Sequence, residues 1–295
     1  MSIDEARAEA DYQRARRRAL FRDVRARLAG RENRLLSFEE VKQSLRLGGP
    51  VYRGAQAVPL AQIIGSVDRY RDFDEEFLPK QDRTADRWKS IARAFYNDVD
   101  LPPVRLYKVG DAYFVLDGHH RVSVAREQGA DYIDAEVQEA HSRVPITADL
   151  HAEDLKVLHE YREFLERTRL DEIRPQHKPL RLTIAGGYPR LIEHIAVHRY
   201  FMGLDLQRDV SEEEAVGHWH DTVYLPIVDA IRAHGILADF PQRSEADLYL
   251  WIVDHLHYLR EVEGAVEVDQ AVEDFVDQFD ERRLKQIEQD AGSGP

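Results

Sequence analysis

Apolar positions recur at helical spacing up to Gly30, give way to short β-type runs from Val51, and return to helical spacing beyond Pro145. Ser2 and Glu5 form a capping box, Gly30 stands where a helix stops, and Leu20, Val24 and Leu28 mark the apolar stripe between them. A second, short helix is predicted from Ser37, with Glu40 three residues on and Phe38, Val41 and Leu45 as its apolar face. Gly48-Gly49-Pro50 breaks it. The run from Val58 to Ile64 reads as a strand or strand–turn, and Asp72 to Pro79 as loop. From about Thr84 a helix follows, with Trp88, Ile91, Ala92 and Phe95 at helical spacing.

The sharpest local signal lies between Leu101 and Glu139. Two β-rich runs, Val104 to Val109 and Tyr113 to Leu116, flank Gly110-Asp111, a hairpin turn. Asp117-Gly118-His119-His120-Arg121 then opens a helix ended by Gly129, and Tyr132 to Val137 is a further strand. Beyond Pro145 the first helix carries Leu155, Leu158, His159, Arg162 and Leu165, and Pro175 and Pro179 interrupt the pattern. Leu180 to Ile184 reads as one isolated strand, and Leu191, Ile195, His198 and Met202 mark the next helix. Ser211 with Glu214, and Ser244 with Asp247, cap two more. The second of these presents Leu248, Trp251, Ile252, His255 and Leu259. Val272, Phe275, Val276 and Phe279 give the last apolar face. The predicted class is α+β: a mixed domain over 51–142 and a mostly α-helical domain over 181–290. A helical arm (1–50), a connector (143–180) and a disordered tail (291–295) complete the expected division.

Composition narrows the function. The chain has 295 residues, 43% hydrophobic and 33% charged, as expected of a folded, soluble protein. Forty-one Lys and Arg against 55 Asp and Glu leave a net charge of −14, which argues against a surface that coats nucleic acid. The first helix is locally basic, with Arg14, Arg16, Arg17, Arg18, Arg22, Arg25 and Arg27. Interleaved acids favour a solvated face over a nucleic-acid contact there. Cysteine is absent, which excludes disulfides, thiolate metal sites and cysteine nucleophiles. The N-terminus lacks a signal-peptide pattern and no apolar run is long enough to span a bilayer, so the cytoplasm is the expected address and no membrane partner is expected.

The chemistry concentrates at Asp117 to Arg121. A glycine between a strand and a helix lets a ligand approach the backbone closely, and the first helical N–H groups point into that space. Arg121 can fork onto a phosphate, and His119 and His120 add donors. The physical reading is an anion site; the alternative is a turn glycine followed by surface histidines and a salt-bridged arginine.

The stretch from Val58 to Val137, on these residues, resembles the ParB/sulfiredoxin superfamily, in which a Gly-x-x-Arg turn opens the helix after a β-hairpin. Pro103 to Val109 and Tyr113 to Arg121 match in order and spacing. Val58 to Ile63 with Arg69 and Arg71 resembles the first ParB-type box more loosely. Such a fold implies a nucleoside triphosphate, ATP or CTP, held with Mg²⁺. Asp117, Gly118, His119, His120, Arg121, Ser123, Arg69 and Arg71 are then expected to contact it, with His119, His120 and Arg121 in catalytic roles.

Departures from the family pattern separate its branches. Sulfiredoxin carries cysteine where His119 stands, so that activity is excluded. No helix-turn-helix is recognisable after Pro145, which counts against centromere-type DNA binding. The Asp-Gly-His-x-Arg form is nearer the free-serine kinases, with Asp68, Asp72 and Glu75 as candidates for an acidic base. The expectation is a phosphotransferase or NTPase with a small-molecule acceptor. The alternatives are a nucleotide-switched DNA-binding protein related to partition factors or transcriptional regulators, homodimeric where dimerisation builds the surface, and a scaffold that has lost its ligand. The helical half, with His198 to Gly203 and Glu245 to Trp251, resembles the companion region of an uncharacterised bacterial family, which implies no activity.

Most histidines lie after Pro145. His194 and His198 are spaced i, i+4, and His218 with His220 and His255 with His257 form further pairs, with Glu193 and Asp221 nearby. A metal site competes here with hydrogen-bonded core histidines, and the absence of His-Glu-x-x-His favours the latter. The acidic residues Glu245 and Asp247 beside Arg243 suit a helix start, and Trp88, Trp219 and Trp251 suit packing.

Overall fold

A computed structural model describes residues 2–30 and 32–277. The chain is α+β and divides after Leu158 into two compact units, a mixed sheet with helices and a helical unit. Among the described residues, no helix is long and apolar enough to cross a membrane. Phe279 and the predicted tail lie outside the described residues.

The first unit is built on six strands: β1 (Leu36–Ser37), β2 (Val51–Pro59), β3 (Ile63–Ser66), β4 (Val104–Val109), β5 (Ala112–Asp117) and β6 (Tyr132–Glu139). Their order across the sheet is β1-β3-β5-β4-β6-β2. The β4–β5 hairpin turns at Gly110 as predicted, β4 runs parallel to β6, and β2 closes one edge antiparallel to β6. Helix α2 (Phe38–Leu45) places Phe38 against Tyr107 and Phe114, with ring centroids 4.7 and 5.5 Å away.

Helix α4 (His119–Glu127) is buried on several sides, because two layers of core meet on it. Val122 and Ala125 pack with Val104, Leu106, Val115 and Val137 of the sheet. Val124 packs with Tyr12, Trp88 and Ala92, which belong to α1 (Ile3–Leu28) and α3 (Ala85–Tyr96). Trp88 is fully buried and its indole N–H donates to Ser123 Oγ at 2.9 Å. Removing a tryptophan's ~150–250 Å² from water contributes about 4–6 kcal/mol at ~25 cal/mol per Å².

The capping box at Ser2 and Glu5 forms, but the predicted stripe on α1 is wrong. Leu20, Val24 and Leu28 are 60%, 50% and 86% exposed, while Ala8, Asp11, Tyr12, Ala15 and Ala19 face inward. Small residues on that face let the helix approach α3 closely, and its arginines fasten it. Arg14 and Arg18 reach Glu127, Arg16 reaches Asp82, and Arg22 reaches the buried Asp74 at 3.1 Å. These four side chains are committed to carboxylates of their own unit.

The second unit continues α5 (Leu155–Thr168) into α6 (Leu170–Ile173), α7 (Gly187–Leu206), α8 (Glu212–Trp219), α9 (Leu225–Ala233) and α10 (Glu245–Glu263). Ser211 and Ser244 cap α8 and α10 as predicted. The strand expected over Leu180 to Ile184 does not form. Leu180 and Leu182 are buried, but side chains satisfy the backbone in place of a partner strand. Tyr188 Oη donates to the Leu180 carbonyl at 2.7 Å, and Asp247 accepts the Thr183 amide and hydroxyl at 3.0 and 2.7 Å. Trp88 and Trp219 are fully buried, whereas Trp251 is half-buried under Arg243.

Candidate functional site

Gly118 sits between β5 and α4 with φ +100°, a left-handed conformation that costs a residue with a Cβ about 1–2 kcal/mol. A Cβ there would also lie 2.6 Å from Val104 Cγ1. The turn therefore requires glycine twice over. No side chain caps the helix start, and the first-turn amides of α4 have no carbonyl behind them within the helix.

Those amides open on a cleft of about 110 Å³ bordered by Asp68, Arg69, Arg87, Ile91 and the segment Leu116 to Arg121. Pockets that enclose a whole drug-sized ligand run to ~300–1,000 Å³, so this one has room only for a small group. Arg121 also borders a second cleft of about 350 Å³, lined by Phe95, Val99, Pro102, Val104 and Tyr132 among others.

Each predicted side chain has a definite place. Arg121 donates from Nη2 to Asp117 Oδ2 at 2.7 Å and from Nη1 to the carbonyls of Pro102 and Pro103, the latter at 2.9 Å. A guanidinium has five N–H donors, so capacity remains for a ligand. His119 is buried, stacks on Phe73 at 6.1 Å, and brings Nε2 to 2.7 Å from Ser66 Oγ and 3.6 Å from Asp68 Oδ1. Ser66 Oγ already accepts the Arg69 amide at 2.9 Å, so its own proton is placed to donate to that imidazole.

His120 is the exceptional group. It is 4% exposed, its ring meets Phe73 edge-on at 5.3 Å, and neither ring nitrogen has a hydrogen-bond partner. Burying an unpaired polar group costs about 1–3 kcal/mol, which marks it as a site that a ligand or water would complete. Burial pushes both His119 and His120 down to about 4, with Arg69 among the cations that add to the effect. Both rings are therefore neutral at pH 7.

Other expected residues stand elsewhere. Ser123 is turned away from the cleft and accepts the Trp88 indole. Arg71 lies over the Tyr70 ring at 5.5 Å and does not border the cleft. Of the three candidate bases, Asp68 borders it, whereas Asp72 is held by Arg83 at 2.8 Å and Glu75 lines a different pocket. Sequence reasoning missed Arg87, which shares a face of α3 with Ile91 at i, i+4, and Ser66 at the end of β3.

Among the described residues, no group of three or more His, Asp or Glu is arranged to hold a metal ion. His198 and His218 pair with each other at 2.8 Å, and His255 with Asp274 at 2.7 Å.

No protein-family model matches the chain, and no curated protein matches it.

Proposed function

We propose that the first unit binds a nucleoside triphosphate through the Gly118 turn, in the manner of ParB/sulfiredoxin-type domains, and transfers or hydrolyses its terminal phosphate. The observation that carries this reading is His120, a buried imidazole with two unpartnered nitrogens beside an uncapped helix start and an arginine. A phosphate oxygen accepts from the first-turn amides, from Arg121 and from the N–H of a neutral His120, which meets all three needs together.

Mg²⁺ would arrive with the nucleotide. It binds proteins through one or two carboxylates and keeps its remaining positions for phosphate and water. Asp117, which borders the cleft, offers such a carboxylate, and the ion would neutralise phosphate charge. His119, neutral and held by Ser66, keeps Asp68 company at 3.6 Å and fits a positioning role better than proton donation. Of the three candidate bases Asp68 is the one that borders the cleft, which supports it as the carboxylate that takes a proton from an acceptor hydroxyl.

The test is calorimetric titration of the full chain with ATP, CTP, GTP and ADP in the presence of Mg²⁺, for wild type and for Arg121→Ala. Saturable binding of one nucleotide, weakened at least about tenfold in the variant, supports the reading. No binding at millimolar nucleotide refutes it.

A further inference from the structure

The second unit contains a built polar cleft that owes nothing to the Gly118 turn. Between α8 and α9 the helix widens into one π-helical turn, His220–Tyr224, and the cause lies in the sequence. Pro226 in the first turn of α9 has no N–H to donate to residue 222 and its ring crowds that carbonyl, so the helix takes up the misfit just before it. Single π-turns recur at functional sites, because they reorient side chains that a regular helix would stack.

Here the reoriented side chain is His220, which is 4% exposed and stacks on Tyr224 at 5.9 Å. Its Nδ1 lies 2.8 Å from Asp221 Oδ1. Asp221 is gripped in turn by Arg174, from Nε at 3.0 Å and Nη2 at 2.6 Å. That grip holds the Asp221 carboxyl down to about 2, so it stays an acceptor at any ordinary pH. Gly217, one turn earlier, makes the grip sterically feasible: a Cβ there would stand 2.9 Å from Arg174 Nη2. Arginine, aspartate and histidine thus form a supported chain, in which the ionised carboxylate fixes His220 Nδ1 as the donor to it and leaves Nε2 for other partners.

A second imidazole has the same polarity. His177 Nδ1 lies 2.7 Å from the Arg174 carbonyl, an oxygen that can only accept, so the proton is on Nδ1. His177 Nε2 is enclosed and has no partner. Both rings border one cleft of about 550 Å³, within the ~300–1,000 Å³ range of small-molecule sites. Its lining mixes apolar surface from Ile173, Pro179 and Leu225 with Arg174, Lys178 and Arg232 against one carboxylate, Glu245. Glu245 is itself paired to Arg232 at 2.5 Å, and Lys178 stands exposed at the rim. Arg174 is matched by Asp221, and Arg232 by Asp229 as well as Glu245, so the positive charge this cleft offers a ligand is that of the exposed Lys178.

We infer that this cleft is a second ligand site, for a small hydroxylated anion. A ligand hydroxyl hydrogen-bonds to Nε2 of His220, with His177 as the neighbouring imidazole, and the acidic group lies toward Lys178. A phosphate or a carboxylate would supply the same charge, so the source is left to the experiment.

The full-length ¹⁵N-labelled protein is titrated with ribose 5-phosphate, gluconate, ribose and inorganic phosphate. Long-range ¹H–¹⁵N correlations of the histidine rings are the readout. Saturable movement of the His220 Nε2 resonance is expected with ribose 5-phosphate or gluconate, at least about tenfold tighter than with ribose or inorganic phosphate. The stronger of the two ligands identifies phosphate or carboxylate as the favoured group. Lys178→Ala, an exposed change that leaves the fold intact, is expected to weaken binding by about tenfold. Asp221→Asn is expected to release the His220 tautomer and abolish the response. The inference is overturned if neither hydroxylated anion moves His220 at millimolar concentration. Inorganic phosphate or ribose binding equally well would also overturn it, as would Lys178→Ala leaving affinity unchanged.

Discussion

Replacing His120 with leucine isolates the cost of keeping an unpartnered imidazole inside the first unit. Leucine roughly fills the ring's volume and asks for no hydrogen bond. At neutral pH the variant loses the edge-on contact with Phe73, about 0.5–1.5 kcal/mol, and escapes the desolvation of two unpaired nitrogens, about 1–3 kcal/mol. The expected net is a gain of about 1 kcal/mol. Acid should widen it. The folded imidazole takes its proton at about 4 and the unfolded one at about 6.5, so between those values the unfolded state binds more protons. This part of the native stability is fully present above about pH 6.5 and is lost as pH falls toward 4. From pH 7 to about pH 4.5 the wild type gives up about 2 kcal/mol through His120 that the variant keeps, so the gap grows to about 3 kcal/mol. Amide hydrogen exchange at the β5 residues, corrected for intrinsic rates, reads the opening of this unit alone. The reasoning is refuted if His120→Leu is less stable than wild type at pH 7, or if the difference does not change with pH. A variant that is more stable yet no longer takes up nucleotide would show a binding group kept at the expense of stability.

Further expectations concern neighbouring groups. Gly118→Ala should destabilise the first unit by about 3 kcal/mol, from left-handed strain plus the contact with Val104, and lower the melting temperature accordingly. Ser123→Ala should cost about 1 kcal/mol by orphaning the buried Trp88 indole, with the proposed nucleotide binding unchanged; a loss of that binding would return Ser123 to the site. Arg22→Ala should cost about 3 kcal/mol in urea denaturation, because Asp74 is fully buried and would lose its cation. A negligible effect would free the basic helix for another partner.

The parts of this molecule that were legible in the sequence are those that short-range chemistry dictates. Caps at Ser2, Ser211 and Ser244 act within one turn, and the hairpin at Gly110 and the turn at Gly118 depend on residues that touch along the chain. What escaped depends on distant partners. The α1 stripe was misassigned because burial there follows alanines against α3 and ion pairs to Glu127 and Asp74, which helical spacing does not reveal. Leu180 to Ile184 has the composition of a strand, but Asp247 and Tyr188 satisfy its backbone from elsewhere. Ser123 follows the Gly-x-x-Arg turn in sequence and faces the opposite way in space, because α4 is packed on both sides. Arg87 and the Arg174–Asp221–His220 chain carry no motif and became visible through geometry alone.

The sheet order has a consequence for how the protein is made. Strand β2 leaves the ribosome well before β6, its ladder partner among the described residues: Pro59 has to wait for Tyr132, and Val51 for Glu139. The β4–β5 hairpin and α4 need only nearby residues and form sooner, since contacts close in sequence are quick to make. The Gly118 turn is therefore assembled while the nascent sheet still has an open flank. An unpaired strand is a template for association with other chains. The irregular register between Tyr52 and Gly54, with the charged Arg53 inside it, makes β2 a poor one until β6 arrives and Glu139 pairs with that arginine.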